Sequence, residues 1–163
     1  MRHVVGLATA QGNEFVWPLG SEDRIRFDSD DFHALGYYYL IAPAFEHFAQ
    51  RDAGIGITSM NVTLCLKEDD LTAVEDILKN LEGVIAARPK QWKELLGTVQ
   101  YPNEQTKPIN PLLFRSRALS LLYVLRRLVT KARLEGKWVV YGNGVCYRAL
   151  CGIKLPPGTV EYS

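Results

Sequence analysis

Cysteine is scarce in this chain of 163 residues, and its placement excludes a disulfide framework. Cys65, Cys146 and Cys151 form an odd set without the dense spacing of small secreted domains. Cys146 and Cys151 have no histidine close to them in sequence, so their spacing is not one that zinc sites use. We expect three small buried apolar side chains, a reducing compartment, a cytoplasmic protein and no bound metal.

Histidine is equally sparse, and no arrangement of the three histidines indicates a catalytic or metal centre. His33 and His47 fall in one predicted helix about four turns apart, so they cannot ligate the same ion. The chain also lacks the phosphate-loop, serine-elbow and HExxH patterns. It therefore predicts neither an enzyme nor a cofactor. One alternative stays open, an enzyme whose site is assembled only in space from Cys65, Cys146, His33 and the acidic clusters.

Long hydrophobic runs are also missing. The longest uncharged, apolar-rich stretch covers residues 32–45 and contains Pro43, which makes it too short to cross a bilayer. The same stretch is long enough for a buried helix that the proline kinks or divides. We therefore expect no membrane span, and a single domain over residues 1–163.

The pattern of strands and helices predicts an α+β fold, with about three main helices packed on a mostly antiparallel sheet of short hairpin strands. The predicted strands cover residues 3–9, 14–17, 24–27, 60–66, 137–141 and 145–150. The predicted helices cover residues 32–50, 71–85 and 111–135. Asp69 or Asp70 is the predicted cap of the second helix, and the third has Asn110 as its N-cap and Gly136 at its end. Pro89 ends the second helix or restarts a shorter one through Trp92. Residues 97–111, rich in proline and polar side chains, form the predicted surface loop.

The net charge of +1 conceals a division between the two halves of the chain. Residues 1–82 hold six Lys and Arg against fourteen Asp and Glu, a balance of −8, while residues 83–163 hold thirteen against four, a balance of +9. The ordinary structural explanation is that the halves fold against each other, so that their charges interleave. The functional alternative is an acidic surface that meets a basic partner. Its candidate residues are Glu22, Asp23, Asp28, Asp30, Asp31, Glu68, Asp69 and Asp70.

These acidic clusters lack the spaced ligands and central glycine of a calcium loop. Helix capping and the helix dipole explain them without a metal.

The predicted helix 111–135 is basic and amphipathic, and its solvent face is a second candidate surface. Its cations are Arg115, Arg117, Arg126, Arg127, Lys131 and Arg133. Such a helix can bind nucleic acid or an acidic protein. The structural alternative is that its charged side is simply solvated while the opposite, apolar stripe is buried.

The sequence thus favours a small intracellular protein-binding module that acts by charge and shape, such as an inhibitor or an antitoxin-like immunity protein. A nucleic-acid-binding protein that uses the basic helix is the alternative. No motif identifies the partner.

Overall fold

The computed structural model describes residues 2–11, 14–16, 24–28, 32–54, 62–100 and 106–143. Side chains are described from Gly36 onward within these ranges, apart from a few positions next to the gaps. The described residues form helices and short antiparallel strand pairs, which confirms the predicted α+β class.

Nine strands occur among the described residues, and five of them make the main sheet. The strands of this sheet are β1 (Arg2–Gln11), β2 (Glu14–Val16), β3 (Arg24–Asp28), β4 (Val62–Leu66) and β9 (Trp138–Asn143). The order is β2-β1-β9-β4 with β3 also on β1, and every pairing is antiparallel. β9 therefore lies centrally, with Val5 opposite Tyr141 and Leu66 opposite Val139. The predicted hairpin of the first two strands is confirmed, whereas residues 145–150 lie outside the described part.

Two further strand pairs lie between the long helices. They are β5 (Gln91–Lys93) with β8 (Leu112–Phe114) and β6 (Gly97–Gln100) with β7 (Thr106–Ile109). The predicted surface loop at 97–111 thus contains strands. Of the two alternatives at Pro89, the restart of a helix is wrong, because residues 91–93 pair with β8, and the preceding helix ends at Ala86, before the proline.

Four α-helices occur in the described residues: α1 (Phe32–Ile41), α2 (Glu46–Ala53), α3 (Glu68–Ala86) and α4 (Arg115–Glu135). A 3₁₀ turn over Ala42–Phe45 separates α1 from α2, with Pro43 near its start. The predicted division at the proline is confirmed, since proline cannot supply a backbone N–H to an α-helical ladder. The same break puts His33 and His47 on separate helices, so the expectation that they share one helix is wrong.

The helices bury one apolar side against the sheet. Leu64, Leu66 and Val139 supply the sheet side of this core. The helices contribute Tyr38, Phe45, Leu71, Leu78, Leu122 and Val129, among others. The sequence period predicts one buried stripe on α4, made of Phe114, Ala118, Leu121, Leu122, Leu125, Leu128, Val129 and Ala132. Six of these eight residues are the buried positions of α4: Ala118, Leu122, Leu125, Leu128, Val129 and Ala132. The period of three to four residues therefore located the inner side of this helix correctly.

The start of α4 differs from the prediction. The helix begins at Arg115, because residues 112–114 are extended and pair with β5. The Phe114 N–H donates to the Tyr37 hydroxyl at 3.0 Å, and the Arg115 N–H donates to the carbonyl of Lys90 at 3.0 Å. These distant acceptors bind the N–H groups at the actual start of the helix, where Phe114 is the N-cap residue and no side chain caps the helix. At the other end Gly136 has φ 63° and closes the helix as predicted.

Candidate functional site

The predicted acidic surface is described only in part. Glu22, Asp23, Asp30 and Asp31 lie outside the described residues, and Asp28 is the last residue of β3. Glu68, Asp69 and Asp70 form the first turn of α3, after Lys67 at the N-cap position. Glu68 and Asp69 are exposed. No side-chain hydrogen bond caps this helix, so the acids act on its dipole from the first turn rather than as an N-cap.

Asp70 differs from its two neighbours because Arg51 of α2 binds it. The guanidinium is bidentate: Nη1 donates to Oδ1 at 2.6 Å and Nη2 donates to Oδ2 at 2.9 Å. Arg51 also donates from Nε to Oδ1 of Asp52 at 2.6 Å and lies over the Phe48 ring. The hydrogen bond from Arg51 lowers the pKa of Asp70, and the same bond raises the pKa of Arg51. Asp70 therefore joins α2 to α3 and is not a free acidic contact.

Two arginines of the basic helix are engaged by acids of α3. Arg126 contacts Glu82, and Arg133 Nε lies 3.2 Å from Glu75 Oε2. Thr130 donates its hydroxyl hydrogen to Glu75 at 2.5 Å. Arg133 follows Arg126 by seven residues on α4, while its partner Glu75 precedes Glu82 by seven residues on α3. The two helices therefore pack antiparallel. Each of these contacts joins the acidic half of the sequence to the basic half.

Arg115 has a different structural role at the start of α4. Its Nη1 donates to the carbonyl oxygen of Arg88 at 2.8 Å, just beyond the end of α3. Arg88 in turn lies 3.2 Å from Glu94 and packs over the Trp92 ring. The Trp92 indole N–H donates to the same carboxylate at 2.9 Å. This cluster joins the end of α3 to the start of α4, and Arg115 contributes to it with one N–H donor.

Arg117 and Arg127 remain as exposed cations of α4. Arg117 lies over the Phe114 ring with 5.9 Å to its centroid, and Arg127 lies over the Tyr123 ring at 5.8 Å. Within the described part of the chain no carboxylate forms an ion pair with either guanidinium. Lys131 is half-buried beside them.

Large apolar side chains share this side of the helix. Tyr123 is 60% exposed, Val124 47% and Leu134 76%. At 100° per residue Tyr123, Arg127 and Leu134 lie opposite the buried stripe, whereas Val124 and Arg117 lie at the border of this exposed side, about 100° and about 120° from Tyr123 around the helix. We call this surface the outer face of α4 and define it by Arg117, Ser120, Tyr123, Val124, Arg127 and Leu134. Sequence reasoning missed its apolar part, although Val124 and Leu134 lie visibly off the predicted buried stripe.

Most residues of the enzyme alternative lie outside the side chains that the structure describes. Cys65 is buried in β4 with 2% of its surface exposed. His33 is the second residue of α1, and Cys146 and Cys151 lie outside the described residues. Among the side chains that the structure describes, no group of three His, Cys, Asp or Glu is placed to hold a metal ion.

In the part of the chain that the structure describes, no helix combines the length and the apolar character needed to span a bilayer. Comparisons with protein-family models, with curated proteins and with solved structures found no match to this chain.

Proposed function

We propose that this chain is a protein-binding module that docks a partner through the outer face of α4. The observation that supports this proposal is the exposure of Tyr123, Val124 and Leu134 beside Arg127 on one helix face. Most large apolar side chains of the described helices are buried, so a cluster that remains in water marks a contact surface. Tyrosine and arginine are also the residue types that dominate binding energy at protein interfaces.

The arrangement suits binding because part of it is ordered in advance. Arg127 follows Tyr123 by one helical turn and stacks on its ring, which limits the side-chain freedom that docking would remove. Tyrosine adds contact area with few rotatable bonds. A partner that covers this pair would desolvate a cation and a ring that are already in contact.

The narrower form of the proposal is an inhibitor, or an antitoxin-like immunity protein, that acts in the cytoplasm. Its support is the reduced-compartment cysteine usage and the lack of a recognisable catalytic motif in the sequence. Binding would then lower the activity of the partner. Glu68 and Asp69 remain predicted contacts on a separate, acidic surface.

Site-specific photo-crosslinking tests whether α4 is the contact surface. The full chain carries p-benzoylphenylalanine in place of Ser120 on the outer face, or in place of the exposed Asn80 on α3 as the matched control. We expect one protein adduct from position 120 in the native host, suppressed by excess unmodified chain, and no such adduct from position 80. Equal labelling from both positions, or no suppressible adduct, contradicts the proposal.

The adduct must then behave as a specific partner. After identification and purification it should bind the unmodified chain, and Tyr123→Ala should weaken that binding at least tenfold, as expected for a hot-spot residue. A nucleic-acid adduct would instead favour the alternative function, for which affinity should fall steeply as salt rises.

A further inference from the structure

We propose, on the basis of the proposed function, that the partner presents an acidic amphipathic helix to the outer face of α4. The charges on the helix and the spacing of its apolar residues both lead to this partner chemistry.

The charge balance of α4 favours an acidic partner. The helix carries six cations and one acid, Glu135, whose carboxylate lies 2.7 Å from Lys137 Nζ. Arg126 and Arg133 are matched by Glu82 and Glu75, whereas Arg117 and Arg127 of the outer face are exposed and have no ion pair among the described residues. Complementary charge directs association and selects the partner, and carboxylates are therefore the groups expected opposite Arg117 and Arg127.

The spacing of the exposed residues favours a helical partner. Tyr123, Arg127 and Leu134 follow one another at steps of four and seven residues, which keeps them on one side of the helix. They span about 16 Å along the axis at 1.5 Å per residue. Two helices that cross at about 20° remain in contact over such a length, with an apolar row against an apolar row. Ser120 is small enough for the partner backbone to come close at one end.

The same observations disfavour nucleic acid at this surface. Binding to a phosphate backbone depends on a dense set of cations. Here two arginines stand ten residues apart, about 15 Å along the helix, with exposed apolar side chains between and beyond them. Arg126 and Arg133 on the α3 side of α4 are already paired with Glu82 and Glu75, so they add little to a phosphate-binding surface.

A peptide selection against the full chain tests this inference. The probe is a displayed library of 18-residue peptides that keep a helical apolar stripe and randomise the flanking positions equally among Asp, Glu, Lys and Arg. We expect the recovered peptides to be enriched in Asp and Glu on both flanks. Arg127→Glu should lower the affinity for a recovered peptide at least tenfold, and Arg127→Lys should lower it much less. Lys93→Glu on β5 is the control and should leave this affinity within twofold.

The other outcomes overturn the inference. Recovery of basic peptides, recovery without charge preference, or no enrichment at all would exclude an acidic helix as the ligand of this face. Displacement of recovered peptides by a short single-stranded RNA would point to nucleic acid instead. A specific protein adduct from position 120 together with any of these outcomes would leave the protein-binding function standing and remove only its acidic-helix partner.

Discussion

Gly36 of α1 has no Cβ, and this lets α1 lie close to the segment that leads into α4. A Cβ built on Gly36 would lie 2.5 Å from Cγ and 3.1 Å from Cβ of Pro111, and 3.6 Å from Leu113. The proline ring is rigid and buried, so it cannot turn aside as a long side chain would. The neighbouring Tyr37 hydroxyl accepts the Phe114 N–H in the same region.

We therefore predict that Gly36→Ala lowers the free energy of unfolding by about 1–3 kcal/mol, the usual cost of overpacking. Gly83 of α3 is the matched control, because nothing lies within 4 Å of a Cβ built there. Gly83→Ala should raise stability by about 0.5–1 kcal/mol, because alanine restricts the unfolded chain more than glycine does. Urea denaturation measures both variants, and equal stabilisation of the two would contradict the contact with Pro111.

The ion pair between Arg51 and Asp70 predicts a pH dependence of stability. Its hydrogen bond lowers the pKa of Asp70 in the folded protein, so its contribution is complete above the unfolded pKa of about 3.9 and is lost as pH falls through the lower, folded value. Asp70→Asn should cost about 0.5–1 kcal/mol at pH 7, since the pair is partly screened by water.

Asp69→Asn in the same helical turn is the control for this pair, because Asp69 is exposed and shares the dipole environment of Asp70. The difference between the two variants should shrink as the pH is lowered below about 4. Thermal unfolding at several pH values measures it. A difference that stays constant down to pH 2 would show that the Asp70 carboxylate does not contribute through this ion pair.

At the scale of elements, the packing of α3 against α4 rests on an antiparallel register that charged side chains mark. Glu82 contacts Arg126 and Glu75 contacts Arg133, with Thr130 bound to Glu75 as well. These pairs flank the apolar stripe of α4. If one helix slid along the other by one turn, the ion pairs would break and the apolar rows would lose their contacts at the same time.

Charge reversal tests this register. Glu82→Arg should destabilise the protein by about 1 kcal/mol, because it places two cations in contact, and adding Arg126→Glu should recover most of the loss. Guanidinium chloride is unsuitable because it screens charge, so urea denaturation at low salt is the measurement. Strictly additive effects of the two substitutions would show that the side chains do not interact.

Local sequence patterns predicted an element well where residues within that element determine its structure. The stripe of α4, the break at Pro43 and the glycine at 136 each depend on residues within one element. The start of α4 could not be found in this way, because it depends on hydrogen bonds to Tyr37 and Lys90, far away in sequence. Only the charged residues of the outer face of α4 could be identified from the sequence. Its charges were recognised, but separating matched from unmatched arginines requires knowing that α3 packs beside them.

At the scale of the whole molecule, the described contacts account for part of the charge division between the halves of the chain. Glu75 and Glu82 belong to the acidic half, and their partners Arg126 and Arg133 belong to the basic half. Asp52 and Asp70 pair instead with Arg51, which belongs to the acidic half itself. Arg117 and Arg127 stay outside this internal neutralisation, and they lie beside the exposed apolar side chains of α4.

The affinity of the crosslinked partner for a double variant, Tyr123→Ala with Leu134→Ala, tests the account most directly. Both side chains are mostly in water, so the unfolding midpoint should stay close to that of the unmodified chain while the affinity falls at least tenfold. Unchanged affinity in a folded double variant would contradict the claim that the outer face of α4 is where this protein binds.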